Sequence, residues 1–432
     1  MPEKSSSISK LFRIAKDYAL SVIASVIYTF ARQIVVFPFL AAHLTEADYG
    51  TMLTVVGLVN VFTALVGGTL NNIRLIRATA YEEEGKKGDF LWLCLWGSVL
   101  GVAGCVALGF IFDLSVWTVV ILSVYIVINN FYQYATAYFR LKLNFLRNFI
   151  VNVVASVAYV ASCFFFASAT LWPLIFLCGE LAGLVYTVIT TKFYKESFSR
   201  TPLLRTTTTM YLQLALVNLI SNLLMYADRM ILYPILGAES VSYYSTASFF
   251  GKSAGMVMVP IAGVLLGYFS QKNFRATKKR FLGVNALSLA VLAVFMLFCI
   301  PVAPWFTKIL YPTLFEESAP YILLANLGAV ISIAGNMAQP MLLKACSTRD
   351  LMIIQIAFGV IYLASSLWLL PLYGLYGFCW ATILSNLFRL LSFYVLGLLK
   401  IGTKGETREA GEENAPVEED MIPEEKMTKE VE

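Results

Sequence analysis

Apolar stretches of about 20 residues recur along the chain between residues 17 and 399. Each stretch is long enough to cross about 30 Å of hydrocarbon as an α-helix. Because a backbone in lipid must satisfy its hydrogen bonds internally, repeated spans of this length predict helices. Only 14% of the 432 residues are charged, against about 25% in a soluble protein. The sequence therefore predicts an all-α membrane protein with almost no soluble mass.

The pattern predicts about twelve transmembrane helices joined by short loops. The first apolar segment is too long for the core of a signal peptide, so we interpret it as the first span. An even number of spans returns the chain to the side on which it began. The predicted spans lie near residues 17–41, 50–71, 90–112, 116–139, 149–168, 171–191, 209–236, 243–269, 281–302, 320–343, 351–370 and 375–399.

The basic residues test this topology, because cytoplasmic loops are enriched in lysine and arginine. Most of the 32 basic residues precede the first span, follow the last or lie in alternate loops, for example Arg74, Arg140, Arg200 and Arg349. Lys308 is the basic residue expected in an outer loop. The alternation predicts a multi-pass protein of the inner (plasma) membrane with both termini in the cytoplasm. The net charge of +5 is then a topology signal, and no nucleic-acid partner is expected.

The two halves of the chain begin with helices that carry similar polar stripes. Residues at these spacings share one helical face, because an α-helix turns about 100° per residue. The stripes are Ser21, Ser25, Tyr28 and Arg32 in the first half, and Asn218, Asn222, Met225 and Arg229 in the second. With six spans each, the halves would be parallel repeats of the kind found in transporters, although chance resemblance between two apolar helices is the alternative. We predict an N-terminal lobe at 1–200, a C-terminal lobe at 201–400 and a disordered acidic cytoplasmic tail at 401–432.

Charged residues inside the predicted spans are the main candidates for function, because a charge at mid-bilayer costs about 2.5–3.5 kcal/mol on insertion scales. These residues are Arg32, Glu180, Asp228, Arg229, Lys252 and Arg389. If Arg32, Arg229 and Lys252 converge, they form a cationic cavity that binds an anionic headgroup, since guanidinium forks bind phosphate or carboxylate bidentately. The polar face of this cavity would be formed by Ser21, Ser25, Tyr28, Asn218 and Asn222.

Each of these charges also has a structural interpretation. Arg229 could pair with Asp228, and Glu180 could pair with Arg389, to lock helices together. Asp228 and Glu180 are also candidates for proton or sodium coupling, whereas Arg389 is assigned a structural or cavity role. In the fourth span, amides such as Asn129 could serve as interhelical hydrogen-bonding groups or as sugar contacts.

Few residues in the sequence are suited to catalysis or to metal binding. His43 is the single histidine, and the seven cysteines form no CxxC motif. A histidine-based metal site and a Ser-His-Asp triad are therefore disfavoured. We expect no catalytic residues, no metal and no cofactor, and therefore no enzyme activity.

Four segments carry a resemblance to a known family: RQIVVFPFLAAHLTEADYGTMLTVVGL, GGTLNNIRLIRATA, ADRMILYPILGAESVSYYSTA and PWFTKILYPTLFEESAPYILLANLG. On these segments the chain resembles the polysaccharide-type (Wzx-like) lipid-linked oligosaccharide flippases of the multidrug/oligosaccharidyl-lipid/polysaccharide (MOP) exporter superfamily. The third segment is the most specific. The chain departs from the family pattern at Gly267, where a second proline is expected.

This resemblance implies a MATE-like fold of two V-shaped six-helix lobes that work by alternating access. It implies that the cargo is a polyprenyl-pyrophosphate-linked oligosaccharide, flipped to the outer leaflet for cell-surface polysaccharide biosynthesis. Membrane lipids and a coupling H⁺ or Na⁺ would be the other partners, and a monomer is expected. A drug or small-molecule exporter of the same superfamily is the first alternative, although it would favour acidic cavity residues. A membrane-embedded glycosyltransferase or polymerase is disfavoured by the short outer loops, and a channel by the absence of a filter-like repeat.

Overall fold

The structure is a computed structural model that describes residues 20, 22–85, 88–193, 196, 198, 200–255, 258, 269 and 276–401. Throughout these residues the ordered elements are helices, numbered here in chain order. They are α1 Val22–His43, α2 Glu46–Glu83, α3 Phe90–Ile111, α4 Val116–Leu141, α5 Phe145–Phe166, α6 Trp172–Thr191, α7 Leu204–Met225, α8 Ala227–Leu236, α9 Ala238–Ala247, α10 Lys278–Leu310, α11 Ile322–Ala345 and α12 Thr348–Lys400.

In the described part of the chain, 10 helical stretches are long and apolar enough to cross a membrane. Together they cover every predicted span except the eighth, at 243–269, of which residues 256–257 and 259–268 lie outside the described residues. Ser21, Gly267 and the tail from residue 402 also lie outside them. The predicted eleventh and twelfth spans are two arms of α12, which bends at Gly374 with φ +56°. The prediction of an all-α, multi-pass membrane protein is confirmed.

Both arginines of the predicted repeat lie where the helix departs from α geometry. Around Arg32, α1 becomes a π-helix over Ala31–Val36, just before Pro38. In the second half the chain bends at Tyr226, between α7 and α8, and Pro234 lies inside α8. Proline cannot donate a hydrogen bond to the carbonyl four residues earlier, which loosens the preceding turn.

The packing of α2 against α4 depends on one buried asparagine. A π-helical turn at Ala64–Gly68 widens α2, and the amide of Gly67 donates to Asn130 Oδ1 of α4 at 3.2 Å. Asn130 Nδ2 in turn donates to Ser98 Oγ of α3 at 3.1 Å. A Cβ at Gly67 would lie 2.9 Å from the Asn130 backbone, so only glycine permits this approach. Asn130 therefore holds three helices together.

Replacing Asn130 with alanine should lower the free energy of unfolding by about 1–3 kcal/mol, because two buried polar groups lose their partner. Thermal unfolding in detergent, followed by circular dichroism, measures the effect. Asn148→Ala is the matched control, since no described residue hydrogen-bonds to its side-chain amide. Equal melting temperatures for the two variants would contradict the bridging role of Asn130.

We call α1–α6 the N-terminal bundle and α7–α12 the C-terminal bundle; helix α2 packs against α4 of the first and against α7, α8 and α9 of the second. We call the end with the α1–α2 connection the outer end and the opposite end the inner end, following the predicted orientation. At the outer end, Ser242 Oγ of α9 donates to the Glu46 carbonyl at 2.6 Å, and the hydroxyls of Thr51 and Tyr233 are 3.3 Å apart. The two bundles are therefore in contact along the outer half of α2.

At the inner end, the segment between α6 and α7 is tied to the N-terminal bundle. Buried Asp89 has a left-handed φ of +67° and accepts from the Thr201 amide and the Tyr81 hydroxyl, both at 2.8 Å. Glu196 forms an ion pair with Arg74 of α2. These contacts fix where the C-terminal bundle begins.

Candidate functional site

Arg32 lies in the middle of α1, within a ring of aromatic side chains. Its guanidinium carbon is 5.7 Å from the ring centroids of Tyr28 and Tyr159 and 5.4 Å from that of Phe176. Such cation–π contacts hold a cation in place without occupying its N–H groups. Within the described residues this guanidinium forms no hydrogen bond and no ion pair. Its five N–H donors are therefore available to a ligand.

Glu180 of α6 is fully buried next to the same tyrosines. Its Oε1 accepts from the hydroxyl of Tyr28 and from that of Tyr159, the latter at 2.6 Å. Oε2 has no hydrogen-bond partner among the residues described. Tyr28 and Tyr159 thus contact both charged groups, and the carboxylate can offset the charge of Arg32 without occupying the guanidinium fork.

A cavity of about 320 Å³ lies in the N-terminal bundle, lined by α1, α2, α4 and α5. Arg32, Ser25 and Tyr28 line it from α1. No aspartate or glutamate is among the lining residues of this described cavity. Half of its lining residues carry carboxamides: Asn60, Asn71, Asn129, Gln133, Asn148 and Asn152.

Helix α4 provides one continuous polar stripe along this cavity. Asn129, Gln133, Thr136 and Arg140 all line it, and their spacing of three or four residues places them on one face. Gln133 Nε2 donates to Asn129 Oδ1 at 2.6 Å, which orders the two amides. The cavity therefore extends from the middle of the membrane to the inner end of α4, where Arg140 precedes the last residue of the helix.

Arg229 and Lys252 lie in a second polar cluster and do not line this cavity. Lys252 Nζ is 2.6 Å from Asp228 Oδ2, and the Arg229 amide donates to Asp228 Oδ1 at 2.9 Å. The Arg229 guanidinium donates from Nη1 to the Leu53 carbonyl of α2 at 2.6 Å. In this conformation the two cations are engaged by protein groups and do not line the cavity that Arg32 lines.

The stripe of α7 contacts α2. Asn218 Nδ2 donates to Thr69 Oγ1 at 2.8 Å, and Asn222 Nδ2 donates to the Asn218 carbonyl at 2.8 Å. Asn218 therefore lies at the contact of α7 with α2, and neither asparagine lines the cavity. Ser21, the first member of the α1 stripe, lies outside the described residues.

The predicted pairing of Glu180 with Arg389 is wrong. Arg389 belongs to the C-terminal bundle, where it donates from Nη2 to the Ser332 carbonyl at 2.9 Å and lies 4.7 Å from the Phe358 ring centroid. Glu180 is held by tyrosines in the N-terminal bundle. Each charge is thus satisfied within its own bundle, which a pattern read along single helices does not reveal.

Several residues in the cavity or beside Arg32 carry no clear signal in the sequence. In the sequence, Tyr159 is one of many aromatic residues in apolar spans, and the pattern of basic loops explains Arg140 by topology alone. Asn148 and Asn152 are four residues apart, and this spacing alone could have indicated a polar helical face. Across the residues described, no group of three or more His, Cys, Asp or Glu side chains could hold a metal ion.

The helix order and packing give a fold similar to that of solved transporters described as members of the MOP superfamily. An inward-facing multidrug resistance MATE family transporter of that superfamily is similar with a TM-score of 0.58 and 15% identity, over 90% of this chain and 96% of that one. The lipid II flippase MurJ in an inward closed conformation is similar with a TM-score of 0.55 and 14% identity, over 90% of this chain and 87% of that one. A MOP superfamily transporter from Pyrococcus furiosus is similar with a TM-score of 0.54 and 15% identity, over 89% of this chain and 95% of that one. The binding pocket of that transporter is described as having reverse polarity, which suggests a different function for it. No protein-family model matches the sequence, and no curated protein is significantly similar to it.

Proposed function

We propose that this protein is a flippase that carries a polyprenyl-pyrophosphate-linked oligosaccharide from the cytoplasmic to the outer leaflet, for cell-surface polysaccharide biosynthesis. The observation that carries the proposal is the free guanidinium of Arg32 at the deep end of a carboxamide-lined cavity. A guanidinium fork binds phosphate oxygens bidentately. A carboxamide offers a donor and an acceptor side by side, which suits sugar hydroxyls.

Transport in this proposal uses alternating access between two lobes, residues 1–200 and 201–400. The MOP fold supports it, because the similar solved structures include both inward-facing and outward-facing conformations. The polar part of the cargo would cross through the cavity while the polyprenyl tail stays in lipid. The protein would work as a monomer in the inner membrane with both termini in the cytoplasm.

Glu180 is the proposed coupling group, by binding H⁺ or Na⁺. It is fully buried, and its Oε2 lacks a hydrogen-bond partner in the described structure. Asp228 is a weaker candidate, because Lys252 already neutralises it at 2.6 Å. Glu180 contacts Tyr28, which also lies against Arg32, so ion binding and cargo binding could affect each other.

A drug exporter is the second candidate function, favoured by the fold shared with multidrug MATE transporters. A cationic drug is best bound by acidic side chains, and none of these lines the described cavity. The carboxamide wall and Arg32 therefore favour an anionic glycan.

Reconstituted vesicles can separate these two functions. We expect the protein to transfer a fluorescent polyprenyl-pyrophosphate oligosaccharide between leaflets, detected by an impermeant quencher, under a proton or a sodium gradient. Protein-free vesicles give the background rate. Export of a cationic dye without any transfer of the lipid-linked glycan would reject the flippase in favour of the exporter.

A further inference from the structure

Arg140 is the charged residue at the inner end of the cavity, and a neighbouring helix holds it in position. Its Nη1 donates to Asn71 Oδ1 of α2 at 2.8 Å. Asn71 Nδ2 is itself bound to the Gln133 carbonyl at 2.6 Å and to Thr136 Oγ1 at 3.2 Å. Both ends of the Asn71 amide are therefore used to fix the guanidinium beside the cavity. The contact with Asn71 occupies one of the five N–H donors of Arg140, and the Arg140 side chain is exposed.

The two cavity arginines lie at different depths. Asn129 lines the deep part of the cavity with Arg32, and Arg140 lies eleven residues further along α4 toward the inner end. At a rise of 1.5 Å per residue this separation is about 16 Å. The aromatic rings hold the Arg32 guanidinium at the deep end of the cavity and Asn71 holds that of Arg140 toward the inner end, so we assign them to different parts of a cargo or to different times.

The chemistry of a lipid-linked glycan gives the order of these contacts. The pyrophosphate is bonded directly to a polyprenyl chain that must remain in the bilayer, so it approaches from the membrane surface. Arg140 lies at that surface, because α4 ends at Leu141. The sugars extend beyond the pyrophosphate and can reach the deeper carboxamides while the phosphates are still near Arg140.

We propose that Arg140, positioned by Asn71, is the loading site for the pyrophosphate of the cargo before it reaches Arg32. This inference rests on the proposed function. The loading site binds a diphosphate ester of a prenyl chain and does not need the sugar, whereas the cavity above it selects the glycan.

Arg147 provides a matched control, because a basic residue at the inner end is expected from topology alone. It lies in the first turn of α5, is exposed like Arg140, and donates to the Thr190 carbonyl at 3.3 Å. It does not line the described cavity. Arg140→Ala and Arg147→Ala thus remove the same charge from the same end of the protein.

The first test measures transport kinetics of the lipid-linked oligosaccharide in reconstituted vesicles. Arg140→Ala should raise KM about tenfold, the loss expected for a charge-assisted hydrogen bond, with little change in maximal rate. Arg140→Lys should recover part of the affinity, because it keeps the charge and loses the planar fork. Asn71→Ala should raise KM by a smaller factor, and Arg147→Ala should leave KM unchanged.

The second test measures binding of farnesyl diphosphate, a prenyl diphosphate without sugar, to the full chain in lipid nanodiscs. The wild type and Arg147→Ala should bind it equally, and Arg140→Ala about tenfold more weakly. Size-exclusion profiles and melting temperatures identify any variant that fails to fold. If Arg140→Ala does not fold, Arg140→Lys is compared with Arg147→Ala in its place.

The two tests separate the loading site from the proposed function. Wild-type protein that binds farnesyl diphosphate through Arg140 but transfers no lipid-linked glycan would reject the flippase and keep the diphosphate site. Wild-type protein that transfers the glycan, with Arg140→Ala indistinguishable from Arg147→Ala in both assays, would overturn the loading site. Absence of both binding and transfer in the wild type would reject both.

Discussion

Arg32→Ala should reduce transfer of a lipid-linked oligosaccharide about 100-fold or more, with little loss of stability. Two charge-assisted hydrogen bonds to phosphate contribute about 1.5–3 kcal/mol each, and 1.4 kcal/mol corresponds to a factor of ten. The loss of stability should be smaller than in Arg74→Ala, because the guanidinium gives up cation–π contacts but no hydrogen bond with any described residue, and Glu180 keeps the hydroxyls of Tyr28 and Tyr159. Transport in reconstituted vesicles and thermal unfolding in detergent measure the two effects.

Two further variants identify the cause of this loss. Arg32→Lys should be intermediate, at roughly tenfold below wild type, because an ammonium keeps the charge and lacks the bidentate fork. Arg74→Ala is the control for a structural arginine. It leaves the carboxylate of Glu196 without its ion-pair partner and should lower the melting temperature. Wild-type transport by Arg32→Ala, or a melting temperature lowered as far as in Arg74→Ala, would contradict a ligand-binding role.

The length of an apolar stretch can be measured in one segment without knowing which other segments it contacts. For this reason the membrane class and the positions of the helices could be predicted from the sequence. The predicted break between the last two spans, which follows from the length of the apolar stretch, agrees with the structure although the chain turns there without a polar loop. Predicted spans at 351–370 and 375–399 are the arms of α12, and the turn between them is made by Gly374 with a positive φ. A single glycine in an apolar context gives little indication that the helix reverses there.

The site was harder to predict, because contacts between helices decide which charges are free. Arg32 and Arg229 occupy equivalent places in the two polar stripes and are indistinguishable in the sequence. In the folded chain Arg229 donates to the Leu53 carbonyl, whereas the contacts of the Arg32 guanidinium with described residues are to aromatic rings. Likewise, Arg140 is a loop charge in a hydropathy profile and a cavity residue only because Asn71 of another helix holds it.

The outer contact between the bundles depends on Gly50 of α2. A Cβ at this position would lie 1.8 Å from the Ala238 carbonyl oxygen and 2.8 Å from Ser242 Oγ, both at the start of α9. The first distance is to a backbone atom, so a change of side-chain rotamer cannot relieve the clash. Because a side chain at Gly50 must force α2 and α9 apart, we infer that this glycine permits closure of the outer end.

Gly50→Leu should therefore abolish transport and leave the outer end open. In a cysteine-free background, Asn60→Cys reports on the cavity, and Gly50→Leu should increase its labelling by an impermeant maleimide added from outside. Gly50→Ala should have a weaker effect in the same direction, since a methyl group meets the same carbonyl and needs a smaller displacement.

Gly283→Leu of α10 is the matched control, because a Cβ there meets no atom within 4 Å. It adds the same side chain to a helix and should change neither transport nor labelling. If Gly50→Leu transported normally with unchanged labelling, the contact of α2 with α9 would be dispensable for transport. Loss of transport with unchanged labelling, in a folded variant, would mean that Gly50 acts at a step other than closure. The labelling result thus distinguishes a steric role in closing the outer end from every other reason for which this glycine could be required.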